Sequence, residues 1–206
     1  SIKGIGEKLA DSIVTRFGDD TFRIMEEEPE RLAEIKGISL KKAVDISNQL
    51  IEKRDMRRAM IYMQDYGISM KLANKIFMHY GQDIYTVIKE NPYKLADDID
   101  GVGFKIADDI ARKVGIKSDS EFRIKSGIYY CLCQAVSMGH VYIPLEDLEN
   151  QVKSLLLIDI QDFDKYIMDL SIDKKIVVRE IEGRQCVYAA MYYYMEANVA
   201  RMLADL

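Results

Sequence analysis

Lys3-Gly4-Ile5-Gly6, Lys36-Gly37-Ile38-Ser39, Tyr66-Gly67-Ile68-Ser69 and Asp100-Gly101-Val102-Gly103 are one four-residue pattern written four times. Their leading glycines lie 33, 30 and 34 residues apart. An amphipathic stretch follows each of them, and the last three also have one before them. A tight link between two helices needs a residue at positive φ, which glycine adopts without a Cβ clash. The apolar residue between the small ones (Ile5, Ile38, Ile68, Val102) is expected to point inward and pin the turn to its helices. One such turn is weak evidence, since any corner between helices can contain it. Four at near-constant spacing predict tandem helix-hairpin-helix units.

A longer repeat overlies the short one. Gly4-Ile5-x-x-Lys8-Leu9-Ala10 matches Gly67-Ile68-x-x-Lys71-Leu72-Ala73 at an offset of 63. At that offset Gly18 meets Gly81, Asp20 meets Asp83, Pro29 meets Pro92, and Leu32-Ala33 meets Leu95-Ala96. One extra residue then enters before Gly101, 64 beyond Gly37. The unit is a pair of hairpins, present twice, and such duplication sets the architecture before any single residue does. Two hairpins about a pseudo-twofold axis can touch both strands of a duplex, or successive phosphates of one strand.

The start of each second helix offers amide hydrogens with no partner inside the helix and the positive end of its dipole. A phosphate oxygen answers both. The expected DNA contacts are therefore Lys3, Gly4, Gly6 and Lys8 at the first turn, and Lys36, Gly37, Ser39, Lys41 and Lys42 at the second. Gly67, Ser69 and Lys71 supply the third, and Gly101, Gly103 and Lys105 the fourth. Asp97, Asp98 and Asp100 weaken the fourth, so the turns rank second, first, third, fourth as phosphate sites. Each lysine also has a plainer reading as a solvated helix face.

The 206 residues are 49% apolar, enough for a real core, and their net charge is −5. That sign is awkward for a DNA binder, so its distribution matters. Residues 1–54 carry 10 Lys/Arg against 11 Asp/Glu, residues 55–116 carry 9 against 9, and residues 117–206 carry 10 against 14. The acid lies mostly outside the hairpins. No apolar run approaches about 20 residues, so no membrane span is expected, and no signal peptide is visible. Cys131, Cys133 and Cys186 form no zinc pattern and are read as buried, reduced thiols of a bacterial cytoplasmic protein. His79 is read as a surface or packing residue, and His140 has no partner at metal spacing. The chain is expected to be a monomeric fragment, opening inside a hairpin and ending within a helix.

Apolar spacing of three and four residues predicts helices over Glu7–Phe17, Thr21–Glu27, Glu30–Ile35, Leu40–Lys53, Met56–Asp65, Met70–Tyr80, Ile84–Lys89, Tyr93–Ile99 and Phe104–Val114. Gly18, Gly81 and Gly115 sit at C-cap positions, and Asn91 is placed as an N-cap. The six methionines from Met25 to Met78 are read as core filler. A second domain follows: helix Ser120–Met138, strand Gly139–Ile143, a helix from Pro144 to about Leu156, a helix over Asp162–Ile172, and a hairpin turning at Glu182-Gly183. That is the order of a winged helix. Its penultimate helix carries Asp162, Asp164 and Asp169 against Lys165, which favours a structural or protein-contacting wing over a groove reader. Tyr192-Tyr193-Tyr194 offers either base stacking or an interface. The fold class is mainly α: hairpin pairs at 1–54 and 55–116, a winged-helix-like α+β domain at 117–191, and a linker helix from 192.

Asn91-Pro92-Tyr93-Lys94-Leu95, the segment from Asp100 to Asp108, and Gly139-His140-Val141-Tyr142-Ile143-Pro144 carry a resemblance across essentially the whole chain. It resembles the N-terminal region of the RecD/TraA-type DNA helicases, the longer RecD form also described as exodeoxyribonuclease V alpha-like. Val187-Tyr188 and Glu196-x-x-Val199-Ala200 look like the lead-in to an ATPase core. The resemblance implies a parent that hydrolyses ATP with Mg and moves 5′ to 3′ along single-stranded DNA in recombination or repair. No Gly-x-x-x-x-Gly-Lys-Ser/Thr loop occurs here, so ATP and Mg are expected in a separate motor domain and no cofactor in this stretch. The expected role is a non-catalytic accessory that grips single-stranded, duplex or forked DNA beside its own ATPase domains. A docking module whose hairpins no longer bind DNA is the alternative. A nuclease or glycosylase subunit would need a carboxylate cluster that the sequence lacks.

Overall fold

The computed structural model describes residues 2–205, in two compact units, Ser1–Tyr85 and Thr86–Leu206. In the first, α1 (Glu7–Phe17), a 3₁₀ turn (Gly18–Asp20), α2 (Thr21–Glu27) and a second 3₁₀ stretch (Pro29–Glu34) lead into α3 (Leu40–Asp65), followed by α4 (Met70–Tyr80). The repeat is visible element by element. α4 starts and ends 63 residues after α1, its 3₁₀ turn (Gly81–Asp83) repeats the first, and α5 (Ile84–Glu90) repeats α2. Next come α6 (Lys94–Asp98) and α7 (Phe104–Val114), the latter starting 64 residues after α3.

The periodicity splits α3 near Asp55, whereas the helix runs unbroken for 26 residues, about 39 Å at 1.5 Å per residue. The reason is a change of face. Its first half buries Ala43 and Ile46 and its second half buries Ala59 and Met63; at 100° per residue Ala43 and Ala59 point about 160° apart. No single amphipathic stripe spans the helix, so the pattern reads as two. The core on the first side is Ile13, Phe17, Ile24, Met25, Leu32, Ile35, Ile38, Ala43 and Ile46. On the second side α3 packs against α4.

Other departures are local. The helix expected over Glu30–Ile35 is a 3₁₀ stretch from Pro29, too short to propagate α-helical bonding. Asn91 is not the N-cap of α6, which Tyr93 occupies: its main-chain carbonyl closes the turn to Lys94, and its Oδ1 is buried without a partner among the described residues. Met25 and Met63 are core residues, but Met70 and Met78 are exposed, each opening or closing α4 on its outer face.

In the second unit α8 (Glu121–Ser137) leads to β1 (Ile143–Pro144), α9 (Leu145–Leu156), α10 (Phe163–Ile172), β2 (Ile176–Ile181), β3 (Arg184–Ala189) and α11 (Ala190–Ala204). The sheet is antiparallel in the order β1-β3-β2, with Ile143 opposite Val187 and Val178 opposite Val187 on the other side. This part of the chain combines helices with a small three-stranded antiparallel sheet. The β2–β3 turn has φ of 51° at Glu182 and 77° at Gly183, the two positive values that match the twist of a two-residue hairpin loop. β1 is shorter than the predicted Gly139–Ile143 because Gly139 still belongs to the end of α8. It sits at φ 92°, its amide bonds Val136 O, and the His140 amide reaches Ala135 O, a Schellman closure. The acid of α10 is partly spent internally: Asp169 pairs with Lys125 of α8 at 2.8 Å.

Candidate nucleic-acid interface

All four turn glycines lie at positive φ: 92° at Gly4, 98° at Gly37, 82° at Gly67 and 99° at Gly101. Three turns are built alike. The amides of Ile5, Ile38 and Val102 bond the carbonyls of Ile2, Ile35 and Ile99 at 3.0–3.2 Å, with glycine third of four, where a type II turn demands positive φ. The third turn is instead the C-terminus of α3. Ile68 N reaches Met63 O and Gly67 N reaches Gln64 O, a Schellman motif whose apolar partners, Ile68 and Met63, are both buried. Ile38, Ile68 and Val102 are buried and Ile5 is half-buried against the first core, as the pattern predicts.

The helix starts fall into two kinds. Ser39 and Ser69 cap α3 and α4, their hydroxyls accepting from Lys42 N and Leu72 N at 3.3 and 3.4 Å. Gly6 and Gly103 cap α1 and α7 without a side-chain bond. The glycine-capped starts keep more amide hydrogens for an external acceptor.

The first two turns come together. Lys42 is half-buried, and its ammonium donates to Gly37 O at 3.4 Å. Its Cε lies 3.7 Å from the place a Cβ on Gly4 would occupy. Gln49, on the same helix, holds the Lys3 backbone from both sides: Lys3 N donates to its Oε1 at 2.8 Å, and its Nε2 donates to Lys3 O at 3.2 Å. The start of α3 therefore carries two turns on one surface. Lys42, which the sequence predicts as a phosphate contact, lies between the two turns with its ammonium on Gly37 O. Lys3, Lys8, Lys36 and Lys41 are exposed there, and among the described residues none makes an ion pair. Lys71 beside the third turn and Lys105 beside the fourth are exposed in the same way.

Nearby acid is held by arginine. Hydrogen bonds from Arg23 and Arg31 hold the Glu28 carboxyl below its ordinary range, and one from Arg16 does so for Glu34. Arg57 and Arg58, which the turn pattern does not single out, stand exposed on α3 without an ion pair among the described residues. The run Arg54-Asp55-Met56-Arg57-Arg58 was the signal for them.

The fourth turn is fixed differently. Asp97 pairs with Lys175 at 2.5 Å. Behind it, Asp108 of α7 is buried; Tyr93 Oη donates to it at 2.7 Å, and Arg123 of α8 at 2.7 and 3.1 Å. Arg123 also donates to the carbonyls of Ser118 and Leu156, each at 3.0 Å. Burial pushes the Asp108 carboxyl up, but the bonds from Arg123 and Tyr93 outweigh it and hold the group below its ordinary value. Burial and the same carboxylate push the Tyr93 phenol up. Every polar atom of this cluster is engaged by its neighbours, so it fastens α7 to α8. No group of three or more metal-ligating side chains occurs among the described residues, and no helix there is long and apolar enough to cross a membrane.

Residues 52–142 match the model of the ATP-dependent RecD2 DNA helicase HHH domain, and residues 1–50 match that of the SAM-like helix-hairpin-helix tandem. The chain is similar to the hairpin region of RecD2-type helicases. It is 24% identical over 152 residues to the ATP-dependent RecD2 DNA helicase of Deinococcus radiodurans. That match takes in 73% of this chain and 21% of the relative, so the chain spans about a fifth of the relative's length. The first match covers the third and fourth turns and ends just before β1, and the second covers the paired first and second turns.

Proposed function

We propose that this region is a non-catalytic accessory of an ATP-dependent DNA helicase and grips the DNA backbone without reading sequence. The observation that carries the reading is the surface at the start of α3. Two glycine turns at positive φ lie side by side there, surrounded by four exposed lysines that have no carboxylate partner among the described residues. Amide hydrogens, the helix dipole and ammonium groups all favour phosphate, and phosphate contacts carry no sequence information. The ranking of the turns shifts in one respect: the first, with its bare glycine cap, stands level with the second. The fourth stays last, with Asp97, Asp98 and Asp100 before it.

The whole helicase activity, movement 5′ to 3′ and a place in recombination and repair in the bacterial cytoplasm belong to the same proposal. ATP and Mg would be held by a motor outside these residues, since no phosphate loop exists in the sequence. We place the contact with that motor on α11, whose Tyr194, Met195, Val199, Met202 and Leu203 are all more than half exposed. Fluorescence anisotropy with labelled single-stranded, duplex and forked DNA at low salt tests the grip. Micromolar binding that fades steeply with salt is expected; no binding to any form at low salt would reject it.

A further inference from the structure

Four of the six arginines in the first unit are held by carboxylates: Arg16 by Glu34, Arg23 by Asp20 and Glu28, Arg31 by Glu28 and Glu34, and Arg54 by Glu26 and Asp55. Arg57 and Arg58 are the other two. Both are exposed, and neither has an ion pair among the described residues. The surrounding sequence gives the reason. No acid occurs from Met56 to Gln64, and Asp55, the nearest carboxylate along the helix, is taken by Arg54 at 3.3 Å. Successive side chains of a helix turn by about 100°, so Ile61 projects about 180° from the midpoint of the buried pair Ala59 and Met63. Arg57 and Arg58 lie about 40° and about 60° to either side of it. Ile61 is 56% exposed. The far half of α3 therefore shows solvent a guanidinium, an apolar side chain and a second guanidinium, on the face turned away from α4.

We infer that this face holds the sugar–phosphate backbone of a single strand that also engages the paired turns, an inference that rests on the DNA-gripping reading. A backbone that alternates apolar sugar with anionic phosphate matches a face that sets Ile61 between two arginines, and a guanidinium holds a phosphate by two parallel hydrogen bonds. Neither arginine has to leave a carboxylate to do so. From Lys41 at the paired turns, α3 advances about 24 Å to Arg57 and about 26 Å to Arg58. It turns by about 160° to the first and by about 100° in the opposite sense to the second, so neither arginine points the way of Lys41. Duplex DNA is stiff over about 150 base pairs. It lies along one side of the helix and meets the paired turns, with their four lysines, alone. A single strand bends round α3 and meets both sets, a path of about seven nucleotides at about 3.4 Å each. Single strands are thereby held at two places and duplex at one.

The test follows anisotropy of a labelled single strand and a blunt duplex, each about 20 nucleotides long, over a series of salt concentrations. It compares the full chain with Arg57→Gln, Arg58→Gln. Neither side chain has an ion pair to lose among the described residues, so helix content by circular dichroism should hold. Two lost phosphate contacts should shallow the slope of log K against log salt by about 1.4 on the single strand and leave the duplex slope unchanged. Arg57→Lys with Arg58→Lys should restore the single-strand slope. An unchanged single-strand slope in the glutamine variant overturns the proposal, and so does an equal loss on duplex. So does an equal loss in Lys117→Gln with Lys174→Gln, which removes the same charge from exposed positions of the second unit. A glutamine variant that keeps its DNA slope but no longer binds a polyglutamate peptide would assign the face to an acidic protein segment instead. The two readings fail separately: an unaltered chain that binds no DNA removes both, whereas one that binds DNA with a slope indifferent to the arginines removes this inference alone.

Discussion

Replacing Lys36 and Lys41 together with methionine removes two ammonium groups from the surface at the start of α3 while leaving the turns intact. Both side chains are exposed and make no ion pair among the described residues, so the fold loses no partner. Each phosphate neutralised releases condensed counterions, with a slope of about 0.9 per contact on duplex and about 0.7 on a single strand. Two lost contacts should therefore shallow the slope of log K against log salt by about 1.8 on duplex and about 1.4 on single strands. The assay is anisotropy of the same labelled DNA at five or six salt concentrations, with circular dichroism to show unchanged helix content. Lys42→Met is the internal comparison. Its ammonium is turned onto Gly37 O, so its loss should loosen the paired turns and weaken binding with little change of slope. A double variant with the parent's slope would take these lysines out of the interface. A Lys42→Met slope change as large as the double variant's would show that the ammonium swings out to phosphate.

Gly37→Ala forces an L side chain to φ 98° with no atom within 4 Å of the new methyl, so its cost is conformational alone, about 1–2 kcal/mol in urea unfolding; Gly6→Ala, at an extended φ of −86°, should cost far less. Asp108→Ala leaves the half-buried Arg123 without its carboxylate and should destabilise the second unit by about 1–3 kcal/mol, and Asp108→Leu with Arg123→Met should recover most of that by equilibrium unfolding. The Asp108 carboxyl is held below its ordinary value. Its contribution is therefore fully present above about pH 4, where the unfolded group is ionised, and is lost as the pH falls further. Urea midpoints at pH 7, 5 and 3 should show that drop, and Asp108→Asn should flatten it. Burial pushes the Cys131 thiol up to about 11, so at pH 8 it should react with a thiol reagent only as fast as the unit opens, as timed against the unfolded chain.

The four turns were legible because each depends on a local rule. Glycine at positive φ and a serine or glycine at the helix start are required wherever the chain folds, and the offset of 63 extended that certainty to α1, α4, α2 and α5. What the sequence hid came from distant partners. α3 reads as two helices because its halves pack on different cores, a fact that no window of the pattern contains. Lys42 reads as a phosphate ligand like Lys41, and only the nearness of Gly4 and the Gly37 carbonyl shows it facing inward. Gln49 carried no signal at all; its partner lies 46 residues away. Asp108 resembles any surface acid of an amphipathic helix until Arg123 and Tyr93 close over it.

A helix that belongs to two cores at once also sets a phase. The paired turns stand at the first residue of α3 and the third turn at its last, so the angle between their faces is fixed by residue count, as gears are keyed on one shaft. Each residue inserted near Asp55 rotates the far end by about 100° and advances it by 1.5 Å. Lengthening α3 by seven residues nearly restores the phase and moves the sites by about 10 Å, whereas two residues turn them almost to opposite sides. Natural variation in this helix should therefore come in whole heptads, or in none.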